Sequence, residues 1–162
     1  MSNSKLARAT LAAILAALIL PAAAFAHWPV ADRYSYISQG YSWSHKALDI
    51  ASDYGDRIVP IRSGRVTYAG WRSDGGGYRV VVYHGSGLYT AYYHMSRVAV
   101  SKGTYVYAQQ TVIGYVGSSG NATGPHVHTE VWKNGSPWSS GAYRVNPWWY
   151  VNSGWYFPWR YR

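Results

Sequence analysis

GPHVHTEVW, residues 124–132, is the stretch whose reading decides the fold. Gly124 and Pro125 break any regular structure before it. Val127, Thr129 and Val131 are β-branched, so residues 126–132 are expected as a strand. Side chains alternate along a strand, which puts His126, His128, Glu130 and Trp132 on one face. The two imidazoles then stand about 7 Å apart on one surface, at ~3.3 Å of rise per residue. One metal ion can take one of them and keep the other within reach of a bound substrate. Paired surface histidines without any role have the same spacing, so this stretch alone leaves both readings open.

Upstream of this strand the same texture repeats. GRVTYAGW (64–71) runs into the turn RSDGGG, and YRVVVYH (78–84) and LYTAYYH (88–94) flank GSG as a hairpin. TVIGYVG (111–117) precedes the long polar loop SSGNATGP. Short β-branched and aromatic runs between glycine-rich turns imply an all-β domain, a compact antiparallel β-sheet structure with few or no helices. By strict alternation Leu88, Thr90, Tyr92 and His94 share one face of their strand.

The first residues have a different character. Lys5 and Arg8 precede the apolar run ATLAAILAALIL, then Pro21 and the small-residue end Ala24-Phe25-Ala26. This is the pattern of a secretory signal peptide over residues 1–26, cleaved near Ala26. The apolar core is short for a span, which needs about 20 residues, so no stable membrane anchor is expected after cleavage. Removal takes Lys5 and Arg8 and lowers the formal charge from +9 to +7. A basic exported protein is drawn to anionic surfaces such as cell-wall polymers, phospholipid head groups or nucleic acid. The chain has no cysteine, so disulfides and thiolate metal sites are excluded and any metal must be held by nitrogen and oxygen.

At the other end NPWWYVNSGWYFPWRYR (146–162) is dense in aromatics. Residues 148–162 are expected to pack on the domain as an aromatic tail, since disorder requires lower hydrophobicity.

A second local signal lies at HKALD, His45 to Asp49. Alone, a histidine and a carboxylate four apart carry little. Together with the later pair they make a set of the catalytic zinc type, in which three imidazole and carboxylate ligands leave a fourth position to water. His45, Asp49 and one histidine of the pair fill it, leaving the other histidine and His94 to serve the reaction.

HKALDIAS, LYTAYYHMS, IGYVGSSGNATGPHVHTEV and VNP occur here in the order seen in lysostaphin-type (LytM-like) zinc metallopeptidases, which the chain resembles from Ile37 to Pro147. These are secreted or periplasmic enzymes that cut peptide bonds in bacterial peptidoglycan. The resemblance implies one Zn²⁺ per chain in a groove, bound by His45, Asp49 and His128, with His94 and His126 as catalytic histidines. It implies a metallopeptidase domain over residues 27–147, secreted or cell-wall associated, with peptidoglycan as partner. A monomer is expected, and no nucleic-acid partner, because only WRYR (159–162) interleaves cations with aromatics.

Two positions depart from the family pattern, which often has Gly where Ala47 stands and an aromatic where Thr129 stands. Thr129 should face away from the metal by alternation. Glu130, the single glutamate in the chain, is expected to support His128 rather than react. His84 reads as a turn or strand-edge residue. The stretch 27–44 offers Asp32 and Gln39 as oxygen donors that could make the enzyme latent by folding over the groove. The competing reading of the whole chain is a non-catalytic or latent wall-binding member of the same fold.

Overall fold

The computed structural model describes residues 28–32 and 34–151; the leader expected over 1–26 and the tail beyond Val151 lie outside them. The described chain is all-β. In order it forms β1 (Tyr36–Gln39), β2 (Leu48–Ala51), β3 (Arg57–Ile58), β4 (Gly64–Arg72), β5 (Gly77–Tyr83) and β6 (Tyr89–Met95). There follow β7 (Arg97–Val98), β8 (Tyr105–Val106), β9 (Gly114–Tyr115), β10 (His126–Lys133) and β11 (Tyr143–Val145). A single 3-10 turn, Pro147–Trp149, ends the described part; the Asn146 side chain caps it by accepting from the Trp148 amide at 3.0 Å. No helix among the described residues is long and apolar enough to cross a membrane.

Eight strands form one antiparallel sheet in the order β1-β2-β10-β6-β5-β4-β8, with β11 paired to β10. Strand β10 is central because it is long enough to serve three partners. Its first half pairs with β2, from His126↔Ala51 to Thr129↔Leu48, and its second half pairs with β11 on the same side. Strand β6 lies along its other edge. A small sheet, β3-β9-β7, covers part of one face.

Between the two sheets lies the core. Leu48, Ile50, Val80, Val82, Tyr92, Val127 and Val131 from the large sheet meet Ile58, Ile113 and Val116. Thr129 is fully buried on this side, between Val127 and Val131, facing away from the imidazoles as alternation requires. The opposite face carries Asp49, Tyr93, His126, His128 and Glu130, and it is this face that forms the groove.

The β5–β6 hairpin forms around GSG as the sequence implies, with Gly85 and Gly87 at φ 92° and 69°, where glycine relieves the steric cost of the left-handed region. The run 111–117 gives only two residues of strand. Gly114 is clamped against Met95 and the Arg97 carbonyl, and the chain then leaves the small sheet to bridge Gly117 to His126.

His84 is less peripheral than a turn residue. Its Nδ1 donates to the Ser63 carbonyl at 3.0 Å and its Nε2 meets the Thr90 hydroxyl at 2.8 Å. Burial pushes the ring down to about 4, the Ser63 bond opposing and the Arg62 charge adding to the fall. The unfolded chain, with a histidine near 6.5, therefore binds the extra proton first as pH drops. Stability from this group is complete above about 6.5 and is lost as pH falls toward 4. Urea unfolding of the wild type against His84→Gln should show a difference that shrinks by about 3 kcal/mol or less between pH 7 and pH 4.

Candidate active site

Three side chains meet at the end of β2. His45 lies in the loop that enters β2, and Asp49 lies in β2 directly opposite His128 of β10. The His45 Nε2 stands 3.2 Å from Asp49 Oδ2, and the His128 Nδ1 stands 2.7 Å from Asp49 Oδ1. One ligand atom from each of the three lies within 4.8 Å of the others.

These residues fit a metal ion. All donors are imidazole nitrogen or carboxylate oxygen, a zinc-type set. The His45 Nδ1 donates to the Gly40 carbonyl at 3.0 Å, which fixes the lone pair on Nε2. That Nε2 is buried without a hydrogen-bond partner among the described residues. Burial alone would push the His128 imidazole down, but hydrogen bonds to the Asp49 and Glu130 carboxylates override it and hold the ring charged. Burial likewise favours the neutral form of Asp49, and the His128 bond reverses that. The site is thus built to hold positive charge between carboxylates.

His94 and His126 stand beside this cluster. Their ring centroids are 4.9 Å apart, and His94 is 5.8 Å from His128. Each ring is aimed by a backbone carbonyl: His126 Nδ1 donates to Gly124 at 2.9 Å and His94 Nδ1 to Ser119 at 2.8 Å. A carbonyl can only accept, so the neutral form of each ring keeps its lone pair on Nε2. Burial holds His94 below the ordinary histidine value, the neighbouring His126 and His128 adding to the fall. It is therefore a neutral base at pH 7.

His94 corrects the expectation of strict alternation. Tyr78 pairs with Met95 and Val80 with Tyr92, so Tyr93 and His94 together oppose the single residue Arg79. The extra residue is a β-bulge, with His94 at φ 60°. Tyr92 and Met95 stay in the core, while Tyr93 and His94 both turn to the groove. The bulge leaves the ladder, and neighbouring loops satisfy it. The His94 amide donates to Gly76 at 3.0 Å, and its carbonyl accepts from Ser119 at 3.3 Å.

Glu130 supports the cluster from below. It accepts from Tyr93 Oη and Trp132 Nε1 at 2.7 Å each, from Arg144 Nη1 at 2.9 Å, and lies 3.4 Å from His128 Nε2. Local sequence gives no sign of Tyr93, Arg144 or Arg79 in the groove, because cross-strand register brings them there. Asp32 is not at the site: it pairs with Arg57 at 2.7 Å. Gln39 ends β1 opposite Asp49 and is exposed.

Residues 43–140 match the model of Peptidase family M23. The chain belongs to that family. It is 36% identical over 93 residues to the peptidoglycan DD-endopeptidase ShyA of Vibrio cholerae, covering 57% of this chain and 21% of that protein. It superposes on the catalytic domain of the antimicrobial peptidase lysostaphin from Staphylococcus simulans with a TM-score of 0.60 and 30% identity, covering 71% of this chain and 89% of that one. A zinc-containing peptidase from Vibrio cholerae gives a TM-score of 0.65 at 25% identity, over 75% of this chain and 38% of that one. The chain spans about a fifth of the length of the curated relatives it matches.

Removing Glu130 strands a tyrosine hydroxyl, an indole and two cations together. Glu130→Ala should lower the unfolding free energy by about 3–5 kcal/mol, read from urea denaturation at pH 7.

Proposed function

We propose that this chain is an exported zinc-dependent endopeptidase that hydrolyses peptide bonds in bacterial peptidoglycan. The observation that carries the reading is the five-residue cluster: a half-buried His-Asp-His donor set with two further imidazoles beside it, neither Nε2 hydrogen-bonded among the described residues. The peptidoglycan endopeptidase among the relatives supports the substrate class, and the zinc-containing peptidase supports the metal. Residues 27–147 then form the catalytic unit, released from the leader 1–26 near Ala26 and acting outside the membrane as a monomer. The described start of the aromatic segment, Trp148, Tyr150 and Val151, packs against the core.

In this reading His45 Nε2, an Asp49 carboxylate oxygen and His128 Nδ1 hold one zinc ion. Zinc so held supplies a Lewis acid that brings the pKa of a water to about 7 and polarises a carbonyl. His94 and His126 divide the remaining work. One imidazole takes the proton of the attacking water at Nε2 and returns it to the leaving amine. The other, as an imidazolium with both nitrogens protonated, donates its Nε2–H to the developing oxyanion. The Gly124 and Ser119 carbonyls accept from Nδ1–H of both rings and so leave Nε2 of each to face the chemistry. Glu130 keeps His128 oriented by accepting from its Nε2.

Purified peptidoglycan should yield new peptide termini by mass spectrometry when digested with the zinc-loaded protein. A chelator should abolish them and added zinc restore them. Either His94→Ala or His126→Ala should lower the rate by roughly 10²–10⁴-fold with zinc content kept. His128→Ala should lose the metal itself. A zinc-loaded protein that sediments with intact wall and releases nothing would instead mark a wall-binding module.

A further inference from the structure

Beyond His128 the groove continues as an open cavity of about 370 Å³, walled by Trp132, Pro137 and Trp138 and flanked by Arg79 and Arg144. The two arginines differ in what they have left to give. Arg79 is buried and committed: it pairs with Asp74, donates to the Gly77 and Arg72 carbonyls, and lies over the Tyr93 ring. Arg144 sits on β11, directly across from Trp132 of β10. Its Nη1 donates to Glu130 and its guanidinium lies 5.4 Å from the Trp132 ring centre. A guanidinium has five N–H donors. Among the described residues only that one Arg144 nitrogen has a hydrogen-bond partner, and its side chain is 38% exposed.

Position and charge complete the argument. Arg144 reaches His128 through Glu130 by contacts of 2.9 and 3.4 Å, so it stands about one or two extended residues from the cluster, at ~3.5 Å per residue. Among the described residues Arg72, Arg79 and Arg144 pair here with two carboxylates, Asp74 and Glu130, and Glu130 is shared with His128. The far wall is apolar, with Trp138 edge-on to Tyr68 and under the Arg72 guanidinium.

We infer that Arg144 binds a free carboxylate on the substrate peptide, one or two residues from the scissile bond, with Trp132 and Trp138 flanking the residue that bears it. This rests on the peptidase reading and narrows it. The substrate class is a carboxylate-bearing peptide, with the group at a C-terminus or on a side chain, in preference to an uncharged bridge. A neutral peptide leaves the Arg144 fork to water. A carboxylate takes it up in charge-assisted bonds and restores charge balance.

The test uses matched peptides that carry either a carboxylate or a carboxamide at that position. Binding to the full zinc-loaded chain is read by tryptophan fluorescence, and cleavage by mass spectrometry. The acid form should bind about 10–100-fold more tightly than the amide, the range of a charged hydrogen bond. Arg144→Gln should bring the acid-to-amide ratio to about one. Arg144→Lys should keep a smaller preference, because the charge remains and the fork is gone. Acid and amide peptides bound and cut equally well would overturn the carboxylate site and leave the endopeptidase standing. Acid peptides bound preferentially through Arg144 but never cut would leave the carboxylate site standing and overturn the endopeptidase.

Discussion

Asp49 lies opposite His128 because β2 and β10 pair antiparallel in one register, and the groove depends on that register. The pair places a carboxylate between two imidazoles, 3.2 Å from one and 2.7 Å from the other. A slip of one residue would turn every side chain of β10 to the other face, burying His126, His128 and Glu130 in the core. Val127, Thr129 and Val131 prevent it, since the same slip would expose them. The apolar face of the strand thus fixes its polar face. Packing on one side of the sheet is what holds the chemistry on the other.

The register brings together charges that would not otherwise persist half-buried. Asp49, His128, Glu130 and Arg144 form a continuous chain of opposite charges along β10 and its neighbours. Burial opposes the charge on Asp49, His128 and Glu130, and the hydrogen bonds among them offset it. Tyr93 and Trp132 use up the remaining carboxylate valence of Glu130, so the network is closed below the imidazoles and open above them. That asymmetry leaves nitrogen lone pairs facing the groove.

Much of this was legible in the sequence where the strand is regular. Alternation from His126 to Trp132 put both imidazoles and Glu130 on one face, and β10 has no irregularity against β2 or β6 to disturb it. The same rule failed at His94. A bulge is a register difference between two strands, and neither YRVVVYH nor LYTAYYH alone contains that information. Tyr93 reaches Glu130 by regular alternation from Tyr92, and the bulge is what turns the next residue, His94, to the same side. Of the run TVIGYVG only Gly114–Tyr115 forms a strand, because Gly114 and Gly117 serve close approach to the Met95–Arg97 segment rather than sheet extension. Arg79 and Arg144 carried no local signal: one is called in by an ion pair with Asp74 and the other by Glu130, both set by tertiary contact.

The central claim is that His45, Asp49 and His128 hold the metal while His94 and His126 stay unligated. An anomalous-scattering map at the zinc edge, from crystals of the zinc-loaded protein, tests it most directly. The account predicts one peak per chain, bonded to His45 Nε2, Asp49 carboxylate oxygen and His128 Nδ1, with the Nε2 atoms of His94 and His126 beyond bonding distance. A peak bonded to His94 or His126, or no peak at this cluster, would contradict it.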